Sequence, residues 1–160
     1  MSGENRRLVE QIFERAEFVR ALGIALKACG KGWCETRLKL APMHRQQHGL
    51  AHAGVVMTMA DHTCGGAAGS SVAEDKDVIT VENKTSFLRP ASGKELTCRA
   101  KVLRAGKNLV FVEGEVWGER DGERVLVAKM SSTLAVIAKG AKGRPLRKVL
   151  ENVRHPPASE

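Results

Sequence analysis

Asp61 and His62 stand in the middle of HGLAHAGVVMTMADHTCGGAAG, residues 48–69, a run that is otherwise almost entirely apolar or small. An ionised carboxylate in such surroundings is costly unless a partner holds it or a reaction uses it. A carboxylate can activate water or attack a carbonyl carbon itself. Just upstream, Ala53 and Gly54 stand where a helix built from this run would begin. The first residues of a helix carry backbone N–H groups without intrahelical partners, together with a partial positive charge, and so can stabilise a developing oxyanion. These are parts for attack on a polarised carbonyl. His62 points about 100° away from Asp61 on a helix and is read as a packing or interface histidine, outside the catalysis. His48 and His52 have the i, i+4 spacing of helical zinc ligands, but Gly-Leu-Ala lies between them without the Glu of HExxH. Gly49 also disfavours a helix there, and no metal site is read.

The elements that must position these residues follow from periodicity. Leu8, Ile12, Phe13, Phe18, Leu22 and Leu26 recur at helical spacings over residues 5–28, giving one or two helices with a break near Gly23. GWCETRLKLAP reads as a strand closed by Pro42, and MHRQQHGLAH as a loop. From about Ala53 to Ser71 no polar face exists, which means a helix buried on all sides. Gly65, Gly66 and Gly69 lower its propensity but let other backbones come close. Four strand-like segments follow. In ELTCRAKVLRA, Leu96, Cys98, Ala100 and Val102 alternate with polar residues, and Asp121-Gly122 marks a hairpin into RVLVAKMSSTLAVI. There Leu126, Ala128, Met130, Ser132, Leu134 and Val136 share a face. An antiparallel sheet around one central helix, an α+β arrangement, is the expectation. The organisation is a helical segment over 1–28, a main domain over 29–138 and a basic tail over 139–160, with a short helix near Leu146–Val153.

Gln46, Gly49, His52-Ala53-Gly54, Asp61 and Phe87-Leu88-Arg89-Pro90-Ala91 occur in this order. Their order and spacing resemble the hotdog fold and its PaaI-like acyl-CoA thioesterases, with Ala53 where that family usually has Gly. The resemblance implies an antiparallel sheet wrapped around a central buried helix and hydrolysis of an acyl-CoA thioester without cofactor. It implies the Ala53 N–H as oxyanion donor, Asp61 as base or nucleophile, and His52 and Gln46 orienting the thioester or supporting the loop. Thr80 corresponds to a hydroxyl residue that relatives draw from the partner subunit. Gly54, Arg89, Arg104 and Lys107 are the substrate-binding candidates, the last three for the phosphates of coenzyme A. It also implies a homo-oligomer, a dimer or a dimer of dimers, with active sites at the subunit interface. The alternative is a non-enzymatic acyl-CoA-binding module on the same fold.

Composition narrows the field. No stretch reaches the roughly 18 to 20 apolar residues of a membrane span, and MSGENRRLVEQ lacks the apolar core of a secretory signal, so a cytoplasmic protein without a membrane partner is expected. Cys29, Cys34, Cys64 and Cys98 form no CxxC pair and read as reduced, small apolar residues. The net charge of +8 is concentrated in KGAKGRPLRKVLENVRH; Tyr is absent and aromatics total 4%, so stacking surfaces for nucleic acid are poorly supplied. Nucleic acid is not expected as a partner.

Overall fold

The computed structural model describes residues 3–139, with side chains from Arg6 onward. The helix expected over Leu146–Val153 lies outside the described residues. Two helices, α1 (Gly3–Arg15) and α2 (Glu17–Ala21), precede strands β1 (Ala25–Gly30) and β2 (Trp33–Lys39). A single 3-10 turn, Pro42–His44, leads by a loop to α3 (Ala53–Gly69). Strands β3 (Lys76–Phe87), β4 (Glu95–Ala105), β5 (Leu109–Arg120) and β6 (Glu123–Ala138) complete the chain. All pairings are antiparallel, in the order β1-β2-β4-β5-β6-β3.

The break near Gly23 is a helix stop. Gly23 adopts φ +73, its N–H donates to the Arg20 carbonyl (2.9 Å) and the Ile24 N–H to the Val19 carbonyl (3.2 Å). These are the two bonds of a Schellman motif. Beyond it the chain is a strand, which corrects the helical reading of residues 25–28: Leu22 and Leu26 have helical spacing, but Gly23 lies between them and turns the backbone away. Lys27 then reaches across to Glu35 at 2.8 Å.

The sheet curls around α3, burying Val55, Val56, Met59, Ala60, Thr63, Cys64, Gly66, Ala67 and Ala68. Its one buried hydroxyl is satisfied: Thr63 Oγ1 donates to the Met59 carbonyl (2.6 Å) and meets Thr36 Oγ1 of β2 at 2.7 Å. At Gly66 an added Cβ would lie 2.9 Å from Cys34 Sγ and 3.3 Å from Phe13. The missing side chain thus admits side chains of β2 and α1, rather than the backbones expected. α1 covers the C-terminal half of α3. Its N-terminal half keeps an open side at Gly54, Met57 and Asp61.

Leu96, Cys98 and Ala100 are fully buried, as their alternation predicts. Asp121 (φ 53) and Gly122 (φ 80) make the expected hairpin turn. On β6 the shared face holds from Val136 to Ala128. There the ladder slips, with Val116 opposite Ala128 but Trp117 opposite Leu126. The extra residue, Val127, is buried, and the bulge carries Leu126 off that face.

Candidate active site

α3 begins at Ala53 because His52, with extended backbone (φ −64, ψ 138), caps it. His52 Nδ1 accepts the Gly54 N–H at 2.9 Å, so the ring proton sits on Nε2. The Val55 and Val56 N–H groups donate to the His52 carbonyl. Among the described residues the Ala53 N–H makes no hydrogen bond. It is an exposed donor at the positive end of a 17-residue helix. Asp121 is the one non-glycine residue with positive φ among those described; Ala53 has ordinary helical backbone, where alanine serves as well as glycine. Gly54 is beside it, but its N–H is taken by the cap.

The preceding loop is braced from several sides. The Gln46 N–H donates to the Leu50 carbonyl (2.8 Å), the His52 N–H to the His44 carbonyl (2.8 Å), and the Ala51 N–H to the Ala91 carbonyl (2.9 Å). Gln46 Oε1 accepts the His48 N–H, which leaves the Gln46 amide NH₂ as a donor. Gly49, at φ +79, turns this loop, so His48 and His52 do not share a helix. Gln46, His52 and Ala53 line a cleft of about 560 Å³ whose walls include Leu50, Val56, Phe87, Leu88 and Val127. The Phe87–Ala91 segment is its other side. Arg89 lines it too, with Nη1 donating to the Leu126 carbonyl at 3.1 Å.

Asp61 is half-buried on the open side of α3. Its Oδ1 accepts from Thr80 Oγ1 (2.9 Å) and from Asn83 Nδ2 (2.7 Å), both on β3 of the same chain. The hydroxyl expected from a partner subunit is therefore intramolecular, because β3 runs past α3 as the last strand of its own sheet. Sequence reasoning missed Asn83 for a physical reason. Residues three apart on a regular strand face opposite sides, but the ladder shifts between Thr80 and Glu82, and this bulge at Val81 turns Thr80 and Asn83 to one face.

His62 packs its ring edge-on against Phe13, centroids 4.4 Å apart at 75°. Its Nε2 is buried without a partner among the described residues. Burial holds the imidazole below its ordinary value of 6.5, with the Asp61 charge pulling the other way. It lies outside the cleft lining, and of the two readings, packing or interface, its contact with Phe13 is the packing one. Arg104 and Lys107 are not brought to the cleft either. They flank the β4–β5 turn, and the neighbouring Ala105 shares a separate hollow with Ser71, just past the far end of α3. That end is about 25 Å from Ala53 by helix length.

A thioesterase superfamily model matches residues 48–125. A thioesterase family protein from Silicibacter pomeroyi is 34% identical, with a TM-score of 0.81 over 84% of this chain and 98% of that one. The medium/long-chain acyl-CoA thioesterase YigI of Escherichia coli is 25% identical over 81% of this chain and 92% of its own. The PaaI protein of Escherichia coli, from the phenylacetic acid degradation operon, shares the fold with a TM-score of 0.77 at 20% identity, over 86% and 96% of the two chains.

Proposed function

Since the chain belongs to the thioesterase superfamily and is a thioester hydrolase of hotdog fold, we propose that its substrates are acyl-CoA thioesters, cleaved to a free acid and CoA. The observation that carries this reading is the unbonded Ala53 N–H opening on an apolar cleft. A thioester carbonyl placed there gains a donor whose value rises as negative charge develops on oxygen. Leu50, Val56, Phe87, Leu88 and Val127 offer apolar walls to the acyl group. His52 Nε2–H and the Gln46 amide supply further donors at the rim, and Arg89 keeps donors beyond the one it spends on Leu126 for the CoA phosphates. Asp61 acts through its carboxylate, as base toward water or as nucleophile, with Thr80 holding it. The YigI name favours acyl-CoA over other thioesters.

The working unit in this reading is a homo-oligomer, a dimer or a dimer of dimers, in the cytoplasm. Two features support it. Among the described residues β3 pairs with β6 alone and its other edge is unpaired, with Val81 53% exposed. The open side of α3 adjoins that edge and exposes Met57. Among the described residues no helix is long and apolar enough to cross a membrane.

Thiol release from a panel of acyl-CoAs, by the wild-type chain and by Asp61→Asn, tests the reading. Hydrolysis is expected, with kcat lowered about a hundredfold or more in the variant and its melting temperature retained. A folded wild-type protein that cleaves none of the panel overturns the substrate. A stable Asp61→Asn with near-normal kcat removes Asp61 from the chemistry.

A further inference from the structure

Building on the role of Asp61 just proposed, we infer that Asn83 is a positioning residue of the reaction. Together with Thr80 it pins one carboxylate oxygen and leaves the other to act. Both donors go to the same atom, Oδ1, at 2.9 and 2.7 Å. A carboxylate oxygen has about two lone-pair positions, so Oδ1 is saturated. Among the described residues Oδ2 accepts no hydrogen bond. Because an ionised carboxylate only accepts, the Asn83 amide must present its NH₂ to Asp61.

The arrangement restricts motion as well as charge. The terminal torsion of an Asp side chain is broad and roughly two-fold, so an untethered carboxylate would exchange its oxygens and tilt freely. Two charge-assisted donors fixed on one strand suppress that freedom. The backbone is shaped for this: the bulge at Val81 turns both donors toward α3, in the middle of a ladder that is otherwise regular from Lys76 to Phe87. Thr80 alone could anchor a merely structural Asp without any bulge. The second donor adds orientation, and orientation is what a reacting oxygen needs.

The test combines Asn83→Ala and Asn83→Asp with wild-type and Asp61→Asn backgrounds, reading kcat, KM and melting temperature on the full chain with an acyl-CoA that the wild type cleaves. Asn83→Asp keeps the side-chain shape while losing the donor, so it also serves if the alanine variant folds poorly. In the wild-type background both variants are expected to lower kcat by roughly ten- to a hundredfold and to leave KM within about twofold. In the Asp61→Asn background neither should lower the residual rate further, because Asn83 acts through Asp61. Thr80→Ser should retain turnover and Thr80→Val should lose it. If Asp61→Asn is crippled while folded Asn83→Ala and Asn83→Asp both keep wild-type kcat, the inference fails and the role of Asp61 stands. If Asp61→Asn is itself nearly normal, both fail. A loss in Asn83→Ala that is multiplied again in the Asp61→Asn background also overturns the inference.

Discussion

Ala53 and Asp61 stand on one helix, eight residues apart. At 1.5 Å and 100° per residue that is about 12 Å along the axis and about 80° around it. A carbonyl oxygen sits about 3 Å from its donor, and the attacking atom about 3 to 3.5 Å from the carbonyl carbon. That spacing favours the proposed oligomer, in which one thioester is held between the Ala53 N–H of one chain and the Asp61 carboxylate of another. Two antiparallel copies of α3, packed along their open sides, would bring the Ala53 N–H of each beside the Asp61 of the other.

Ala53→Pro tests the oxyanion donor with little disturbance. Proline removes the N–H and is well tolerated at the first position of a helix. It also requires extended backbone in the residue before it, which His52 already has. The expected result is a melting temperature near wild type with kcat lowered by about a hundredfold or more. Unchanged turnover would exclude the Ala53 N–H from the chemistry.

Mixing Ala53→Pro with Asp61→Asn chains tests the shared site. Each hybrid dimer holds one site with both groups intact and one with neither. Random subunit exchange should therefore restore about a quarter of wild-type activity. Mixing Asp61→Asn with Thr80→Val should not restore it to the same extent, because Thr80 bonds the Asp61 of its own chain. Verified exchange without recovery in the first mixture would place both groups in one chain's site.

The legible parts of this fold were those set by local chemistry. Asp121-Gly122 announces a tight hairpin, the alternation from Leu96 to Ala100 announces a half-buried strand, and an apolar run of helical length announces α3. β1 was hidden because Leu22 and Leu26 keep helical spacing across a helix that stops between them. Asn83 was hidden because strand parity puts it opposite Thr80, and the bulge that reverses this is a property of the β3–β6 ladder. The helix start at Ala53 could be read from sequence; the cap that occupies the Gly54 N–H and leaves the Ala53 N–H free could not, since it depends on the His52 side-chain rotamer.

The four cysteines should be silent in the native protein. All are buried and unpaired. Burial raises every thiol, pushing Cys98 up to about 12 and Cys64 well above its ordinary value. Since the thiolate is the reactive form, a disulfide reagent should label none while the chain is folded and all four after denaturation. Rapid labelling of native protein would contradict the packing of β1, β2 and β4 against α3.

His62 should make stability fall on the acid side. Its folded-state pKa lies below the ordinary 6.5, because burial against Phe13 disfavours the charged ring. Above that ordinary value the ring is neutral in both folded and unfolded chains and contributes no slope. As pH drops below it, the unfolded chain takes up the proton first. The unfolded state then binds more protons than the native one, so stability decreases as pH decreases. The loss levels off only once pH passes below the folded-state value. His62→Gln removes this titration while its packing change is the same at every pH. Melting temperatures of the two proteins measured from about pH 8 to pH 5 should therefore differ by a constant offset at the alkaline end. Toward the acid end the curves should draw together if wild type is the more stable, or separate if it is the less stable. In either case the wild-type curve is the steeper. Parallel curves throughout that range would mean that the imidazole is protonated as readily in the fold as outside it, and would overturn its burial against α1.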